Sequence, residues 1–135
     1  MALIQWSPEL SLNVPRLDIE HQHLIALVNT LYDGYQRGQN ARSLERIFRE
    51  LVEAASMHFE SEESFLEEQG YPESDAHKEE HEVLLGQLLD LQGRVSAGRS
   101  GINAETFEYL CDWVVDHIVN ADKEFAAYVK GAGVR

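Results

Sequence analysis

Apolar residues recur every three or four positions along most of this chain, which predicts amphipathic α-helices and no strands. The inward positions of the first helix are Leu17, His21, Leu24, Val28, Leu31 and Tyr35. Those of the second are Leu44, Phe48, Leu51, Ala55, His58, Glu62 and Phe65. Those of the third are His77, His81, Leu84, Leu88, Leu91 and Val95, and the fourth begins with Phe107, Leu110, Val114 and His117. The pattern therefore predicts an all-α chain.

Glycine, proline and capping residues between these stripes set the predicted helix ends. We predict helices over about 18–37, 41–69, 74–97 and 103–130, preceded by an extended arm over residues 1–16. Asp18 and Asn103 are the expected caps of the first and fourth helices. Because the connections are short, consecutive helices should pack antiparallel. The expected fold is a single domain, residues 1–135, built as an up-down-up-down four-helix bundle.

Charge narrows the possible partners of this domain. The chain has 24 acidic and 11 basic residues, a formal net charge of −13. Such a surface repels phosphates and anionic lipids, so we expect no nucleic acid partner and no membrane insertion. The first residues, MALIQWSPEL, lack the basic and apolar regions of a secretory signal, which favours a cytoplasmic location. No apolar stripe remains beyond the core faces, so a monomer is expected.

The inward stripes contain polar residues where a bundle core normally has leucine. Five of the six histidines and Glu62 occupy such positions. An unsatisfied buried polar group costs roughly 1–3 kcal/mol, so this set requires a binding partner. His23 is an internal control, because it lies two residues from His21 and should point to solvent. A bound metal is the economical explanation.

The spacing of these residues suits metal binding. His77 and His81 are four residues apart on one helix face, and His58 and Glu62 repeat that spacing on another helix. His21 and His117 add one imidazole each. Taken alone, a histidine such as His21 or His117 is more often a hydrogen-bonded packing residue than a ligand, and a pair such as His77 and His81 is as often one as the other. Their occurrence in register on four helices favours a shared metal site.

The fourth helix changes phase after His117. Asp122 follows it by five residues, which on a regular helix is a rotation of about 140°. A π-bulge between Ile118 and Asp122 would return the carboxylate to the core face, and such bulges favour functional sites. We therefore predict a local irregularity there and a ligand role for Asp122. The alternative is a solvated acid on a regular helix.

The ligand types restrict the metal. The candidate set contains five imidazoles, two carboxylates and no thiolate. That is too many ligands for one tetrahedral zinc ion and too much nitrogen for calcium or magnesium. Two iron ions sharing bridging carboxylates would use the whole set. Neutral imidazoles stabilise high-valent iron less than carboxylates do, which favours reversible binding over oxidation chemistry.

The residues that carry this pattern resemble those of bacterial hemerythrins, a family of HHE-type domains. The similar segments are LDIEHQHL, HFESEESFL, YPESDAHKEEH and WVVDHIVNAD, and the N-terminal arm with Trp6 also fits. The resemblance covers nearly the whole chain. It implies reversible dioxygen binding, for storage, delivery or sensing, at a non-haem di-iron centre (Fe²⁺/Fe³⁺) with an oxo or hydroxo bridge.

The resemblance also implies roles for individual positions. One iron would be held by His77, His81 and His117. The other would be held by His21 and His58 and keep an open position, with Glu62 and Asp122 bridging the two. The walls of the oxygen pocket would be Leu24, Val114 and Ile118, with Trp113 and Phe59 nearby. Ordinary core packing explains these apolar residues equally well. A leucine is common in the family at the position of Val114. The smaller valine therefore implies faster autoxidation or wider access of ligands to the pocket.

Two other functions are compatible with these residues. The first is a di-iron oxidase, a peroxidase-like enzyme or a nitric oxide reductase, and the second is an iron-sequestering or structural bundle. Against an enzyme, no further inward carboxylate or tyrosine stands out as a proton or electron relay, and Tyr109 and Tyr128 are weak candidates. We therefore expect a binding protein. Exposure of the reduced protein to air separates the three functions.

Overall fold

The computed structural model describes residues 4–6, 8, 15–97, 103–117 and 127. Four helices occupy these residues: α1 (Pro15–Gln36), α2 (Ala41–Glu68), α3 (Ser74–Ser96) and α4 (Ala104–Asp116). Helix α2 packs against α1 and α3, and α1 also packs against α4. The predicted all-α four-helix bundle is confirmed. None of the described helices has the length and apolar character that a bilayer crossing needs.

Helix α1 begins earlier than the sequence analysis predicted. Its first residue is Pro15, so the assignment of residues 15 and 16 to the arm was wrong. Proline is favourable at the first helical position because its φ already suits a helix and its missing N–H needs no partner there. Asp18 therefore lies in the first turn of α1, where its charge complements the helix dipole, rather than at the cap.

Local side-chain chemistry accounts for the other helix ends. Asn40 caps α2 by accepting a hydrogen bond from a backbone N–H three residues later, at 2.9 Å. Asn103 and Thr106 form a reciprocal capping box at the start of α4. Gly38 and Gly70 follow α1 and α2 with φ of 77° and 65°, a left-handed conformation that glycine adopts without strain.

The buried core follows the predicted stripes closely. The largest fully buried apolar side chains are Phe48, Phe107, Leu17, Leu31, Leu44, Leu51, Leu66, Leu88 and Leu110. Phe65, predicted to point inward, is only half-buried, and Leu66 takes its place. Steps of four residues from His58 through Glu62 lead to position 66, which leaves Phe65 on the flank. There the Arg16 guanidinium lies 5.7 Å from the centre of its ring.

The N-terminal arm is attached to α1 through a side-chain amide. The Ile4 backbone N–H donates to Asn29 Oδ1, and Asn29 Nδ2–H donates to the Ile4 carbonyl, each at 2.8 Å. The Ile4 side chain is buried in the core cluster. Asn29 thus satisfies both main-chain groups of Ile4, as a neighbouring strand would.

Candidate metal centre

The four helices bring six of the seven predicted ligands together in the core. They lie on α1 (His21), α2 (His58 and Glu62), α3 (His77 and His81) and at the end of α4 (His117). All six are buried, with at most 7% of their surface exposed. His23 is exposed, as predicted from its position off the stripe.

The carboxylate of Glu62 lies at the middle of this cluster. Its Oε1 faces the Nε2 atoms of three imidazoles, at 2.6 Å from His77, 3.0 Å from His81 and 3.6 Å from His117. Its Oε2 faces two others, at 3.2 Å from His58 and 3.5 Å from His21. One carboxylate therefore contacts imidazoles from all four helices.

These side chains form two groups with the compactness of metal sites. Within each group, the ligand atoms lie within 4.8 Å of one another. The larger group consists of Glu62, His77, His81 and His117, and the smaller of His21, His58 and Glu62. Glu62 is common to both groups, which is the placement that a bridging ligand requires.

The environment of Glu62 stabilises its negative charge. Burial by itself would raise the pKa of this carboxyl. Hydrogen bonds from the surrounding imidazoles, led by His117 and His21, outweigh burial and hold the pKa of Glu62 well below its usual range. The carboxylate is thus present in the ionised form that a metal ion binds.

A second layer of carboxylates lies behind the imidazoles. Glu20 Oε1 is 2.7 Å from His58 Nδ1, and Glu63 Oε2 is 2.7 Å from His81 Nδ1. Glu80 lies farther from its histidine, at 3.5 Å from His117 Nδ1. An ionised carboxylate can only accept, so in the first two pairs the Nδ1–H donates. This arrangement directs Nε2 of each ring inward, toward Glu62.

The pKa of Glu20 is affected by the same contacts. Burial alone would raise it, but hydrogen bonds from His58 and Ser61 hold the pKa of Glu20 below its usual value.

Sequence reasoning missed this layer of carboxylates. A weak signal was available in Glu20 and Glu63, because each is the immediate neighbour of a predicted ligand in the sequence. In a chain with 24 acidic residues, that signal is not distinctive.

The inner atoms suit a cation. When Nδ1–H of a neutral imidazole donates to a carboxylate, Nε2 carries a lone pair. The Nε2 atoms of His58 and His81 lie 3.2 Å and 3.0 Å from Glu62 oxygens; in the metal-free protein a hydrogen-bond proton lies in such a contact, and a metal ion would take its place. Two acceptors that face each other repel unless a positive charge lies between them. A donor set of imidazoles and carboxylate without thiolate fits iron.

Apolar side chains enclose the larger group. The Phe59 ring stacks on His81, with centroids 4.1 Å apart and planes 12° apart, and lies 5.7 Å from His117. Trp113 lies 5.9 Å from Phe59 and donates its indole N–H to the Leu84 carbonyl at 3.2 Å. The other two described pocket candidates, Leu24 and Val114, are also buried.

Part of the predicted site falls outside the described residues. This applies to the proposed ligand Asp122, to the pocket candidate Ile118 and to the helix irregularity predicted between them. The relay candidate Tyr128 lies outside as well. Within the described part, the helix passes into a π-helical turn at His117, immediately before that segment.

Comparison with known proteins gives consistent results along the chain. Residues 12–129 match the family model of the hemerythrin HHE cation binding domain. A bacteriohemerythrin from Methylococcus capsulatus is 36% identical over 124 residues, which cover 91% of this chain and 94% of that protein. One from Stenotrophomonas maltophilia is 32% identical over 130 residues, covering 96% and 84%.

Solved structures agree with these sequence relatives. A crystal structure of wild-type hemerythrin superposes with a TM-score of 0.85 at 35% identity, covering 93% of this chain and 97% of the other. A variant hemerythrin with one substitution gives a TM-score of 0.86 at the same 35% identity, covering 94% and 97%. With a family model matched over most of its length and the buried imidazole cluster in place, this chain belongs to the hemerythrin HHE cation-binding family.

Proposed function

We propose that this protein binds two non-haem iron ions and, through them, binds dioxygen reversibly, for storage, delivery or sensing. The observation that carries the proposal is the buried Glu62 carboxylate, which two compact groups of imidazoles share. Iron is the metal that best fits this donor set. Membership of the hemerythrin family supports the same assignment.

Each described ligand has a proposed place. His77, His81 and His117 would hold one ion, and His21 and His58 would hold the other. Glu62 would bridge the two, together with Asp122 from the part of the chain that is not described. The division of the described ligands into a larger and a smaller group supports this assignment. The smaller group has fewer described ligands, which supports placing the open position on its ion.

The donor set favours carriage of dioxygen over its activation. Five imidazoles and one carboxylate make up the two described groups, so most of the ligands are neutral. Bound ferrous iron would supply the electrons that reversible dioxygen binding needs. The chain contributes by keeping water out of the site, and the buried side chains of Leu24, Val114, Phe59 and Trp113 serve this purpose.

Metal analysis combined with visible spectroscopy tests the proposal. We expect about two iron ions per chain, following the two ligand groups. Exposure of the anaerobically reduced protein to oxygen should produce a charge-transfer band that disappears under argon and returns over repeated cycles. A band that decays with substrate turnover would indicate an enzyme, and iron without a band would indicate sequestration. Absence of iron would overturn the proposal.

A matched pair of histidine variants sharpens this test. His21→Ala removes one imidazole from the smaller group, and we expect loss of iron there and loss of the oxygen-dependent band. His23→Ala removes an exposed imidazole from the same helix, two residues away. It should retain both the iron and the band. Equal behaviour of the two variants would contradict the ligand assignment of His21.

A further inference from the structure

Glu20 holds the outer side of one imidazole in a fixed geometry. Its Oε1 accepts the Nδ1–H of His58 at 2.7 Å, and its Oε2 accepts the hydroxyl of Ser61 at 2.9 Å. Because both oxygens are engaged, the carboxylate has one preferred orientation. It therefore fixes the plane of the His58 ring and directs Nε2 toward Glu62.

The two ligand groups depend on such carboxylates to different degrees. The smaller group has two imidazoles, of which His58 is backed by Glu20 at 2.7 Å. The larger group has three, of which His81 is backed by Glu63 at 2.7 Å. A carboxylate on Nδ1–H raises the basicity of the ligating nitrogen. The same contact therefore accounts for a larger share of the donor strength in the smaller group.

We propose that Glu20 is a positioning residue that sets the iron affinity and the reduction potential of the group formed by His21, His58 and Glu62. This inference rests on the proposed iron-binding function. Glu20 acts on the ion only through His58. Its geometric effect is to orient the ring, and its electrostatic effect is to place a partly buried negative charge behind a ligand.

These two effects can be separated by substitution. Glu20→Gln keeps an oxygen acceptor for the His58 Nδ1–H and removes the charge. Glu20→Ala removes both the acceptor and the charge. Negative charge near iron favours the ferric state, so its removal should raise the midpoint potential. Loss of ring orientation should weaken metal binding, since outer partners of this kind contribute roughly 10–100-fold in affinity.

The experiment measures anaerobic Fe²⁺ binding and the midpoint potential in both variants. Glu60→Gln is the charge-matched control, because Glu60 is an exposed acid on α2, two residues from both His58 and Glu62. We expect a higher midpoint potential in Glu20→Gln than in Glu60→Gln. We also expect that Glu20→Ala binds the weaker of the two Fe²⁺ equivalents at least roughly tenfold less tightly than wild type.

The possible outcomes separate this inference from the proposed function. A Glu20→Gln potential equal to that of Glu60→Gln overturns the inference, as does wild-type Fe²⁺ affinity in Glu20→Ala. In either case, an iron-loaded wild type with its oxygen band leaves the proposed function intact. A wild-type protein that binds no iron would overturn both the proposed function and the inference about Glu20. Melting of the metal-free variants reports folding, and if Glu20→Ala does not fold, the Glu20→Gln potential decides.

A third substitution tests the asymmetry between the groups. Glu63→Gln removes the corresponding charge behind His81, at the same 2.7 Å contact. Because His81 is one of three imidazoles in its group, we expect a smaller shift in potential than in Glu20→Gln. A larger shift in Glu63→Gln would overturn the claim that the smaller group depends more on its outer carboxylate.

Discussion

The two ends of the bundle are packed by different chemistry. At the apolar end, formed by Leu31, Leu44, Phe48, Val95 and Phe107, every side chain is at most 2% exposed and has no polar group to satisfy. At the imidazole end, the five buried histidines and Glu62 fill equivalent stripe positions. Packing at the apolar end is non-directional and complete without a ligand. At the imidazole end, the arrangement is directional and has the donor atoms of a metal site.

The two ends of the bundle have different roles. The apolar end supplies folding stability by burying large side chains, against which the half-buried Tyr32 and Tyr35 rings pack at 5.1 and 5.3 Å from Phe107. The imidazole end is stabilised in the metal-free protein by the imidazole–carboxylate contacts of Glu62 and Glu20, and a bound metal ion would add to that stability. Substitutions at Phe48 and Glu62 should have nearly additive effects, because the two residues are fourteen positions apart on α2, about 21 Å along the helix.

The largest expected effect is at the apolar end. Phe48→Ala leaves a cavity at a fully buried position, and we expect a loss of about 3–5 kcal/mol in the free energy of unfolding. Urea denaturation of the metal-free protein measures this loss. The folded fraction should retain its iron content. A parallel loss of iron from folded molecules would show that the two ends are not independent.

The second prediction concerns Glu62→Gln, which removes the charge shared by the two ligand groups. Wild-type protein at a free Fe²⁺ concentration of 100 times the dissociation constant should gain about 2.7 kcal/mol in stability for each ion bound. In Glu62→Gln, both ligand groups lose their shared carboxylate. We therefore expect this gain to be absent at the same concentration. Anaerobic denaturation with and without Fe²⁺ measures it, and an undiminished gain would exclude Glu62 as a ligand.

The stability of the imidazole end should also depend on pH. The pKa values of Glu62 and Glu20 are held below 4.5 in the fold. The unfolded carboxyls therefore bind protons more tightly, so the stabilisation is complete above about pH 4.5 and is lost as pH falls through the lower folded values. Denaturation of the metal-free protein over this range should show the loss. Glu62→Gln should flatten the profile, whereas Phe48→Ala should shift it downward without changing its shape.

The smallest expected effect on stability tests the apolar wall beside the ligands. Val114→Leu adds one methylene at a buried position, and we expect a cost of about 1 kcal/mol, the lower end of the range for overpacking a core. Closer packing should exclude water more fully and slow autoxidation. Decay of the oxygen-dependent absorption band measures that rate. An unchanged or faster rate would contradict a pocket role for Val114.

Much of this fold could be predicted from periodicity. The stripes identified four helices because apolar spacing directly reports which face is buried. The same stripes singled out His21 and Glu62, since a polar residue on an inward face is conspicuous. The start of α1 at Pro15 was missed because residues outside a stripe carry no periodic signal. Phe65 was misplaced because the core face of a long helix shifts gradually around its axis.

The outer carboxylates could not be predicted by the same reasoning. Glu20 and Glu63 have partly exposed side chains, and acidic residues on an exposed surface follow no required period. Their importance arises from contacts across 38 and 18 residues of sequence, which only the packed helices reveal. The inner ligands are therefore visible in the sequence, whereas their supporting partners are visible only in three dimensions.

The attachment of Ile4 to Asn29 determines which substitutions the arm tolerates. The Asn29 amide hydrogen-bonds to the main chain of Ile4, to one N–H and one carbonyl. Almost every amino acid has both groups. Other apolar residues can therefore replace Ile4 without changing the path of the arm. Proline is barred because it lacks the N–H that Asn29 accepts. Aspartate is a poor replacement for Asn29 itself, since its second oxygen would oppose the Ile4 carbonyl.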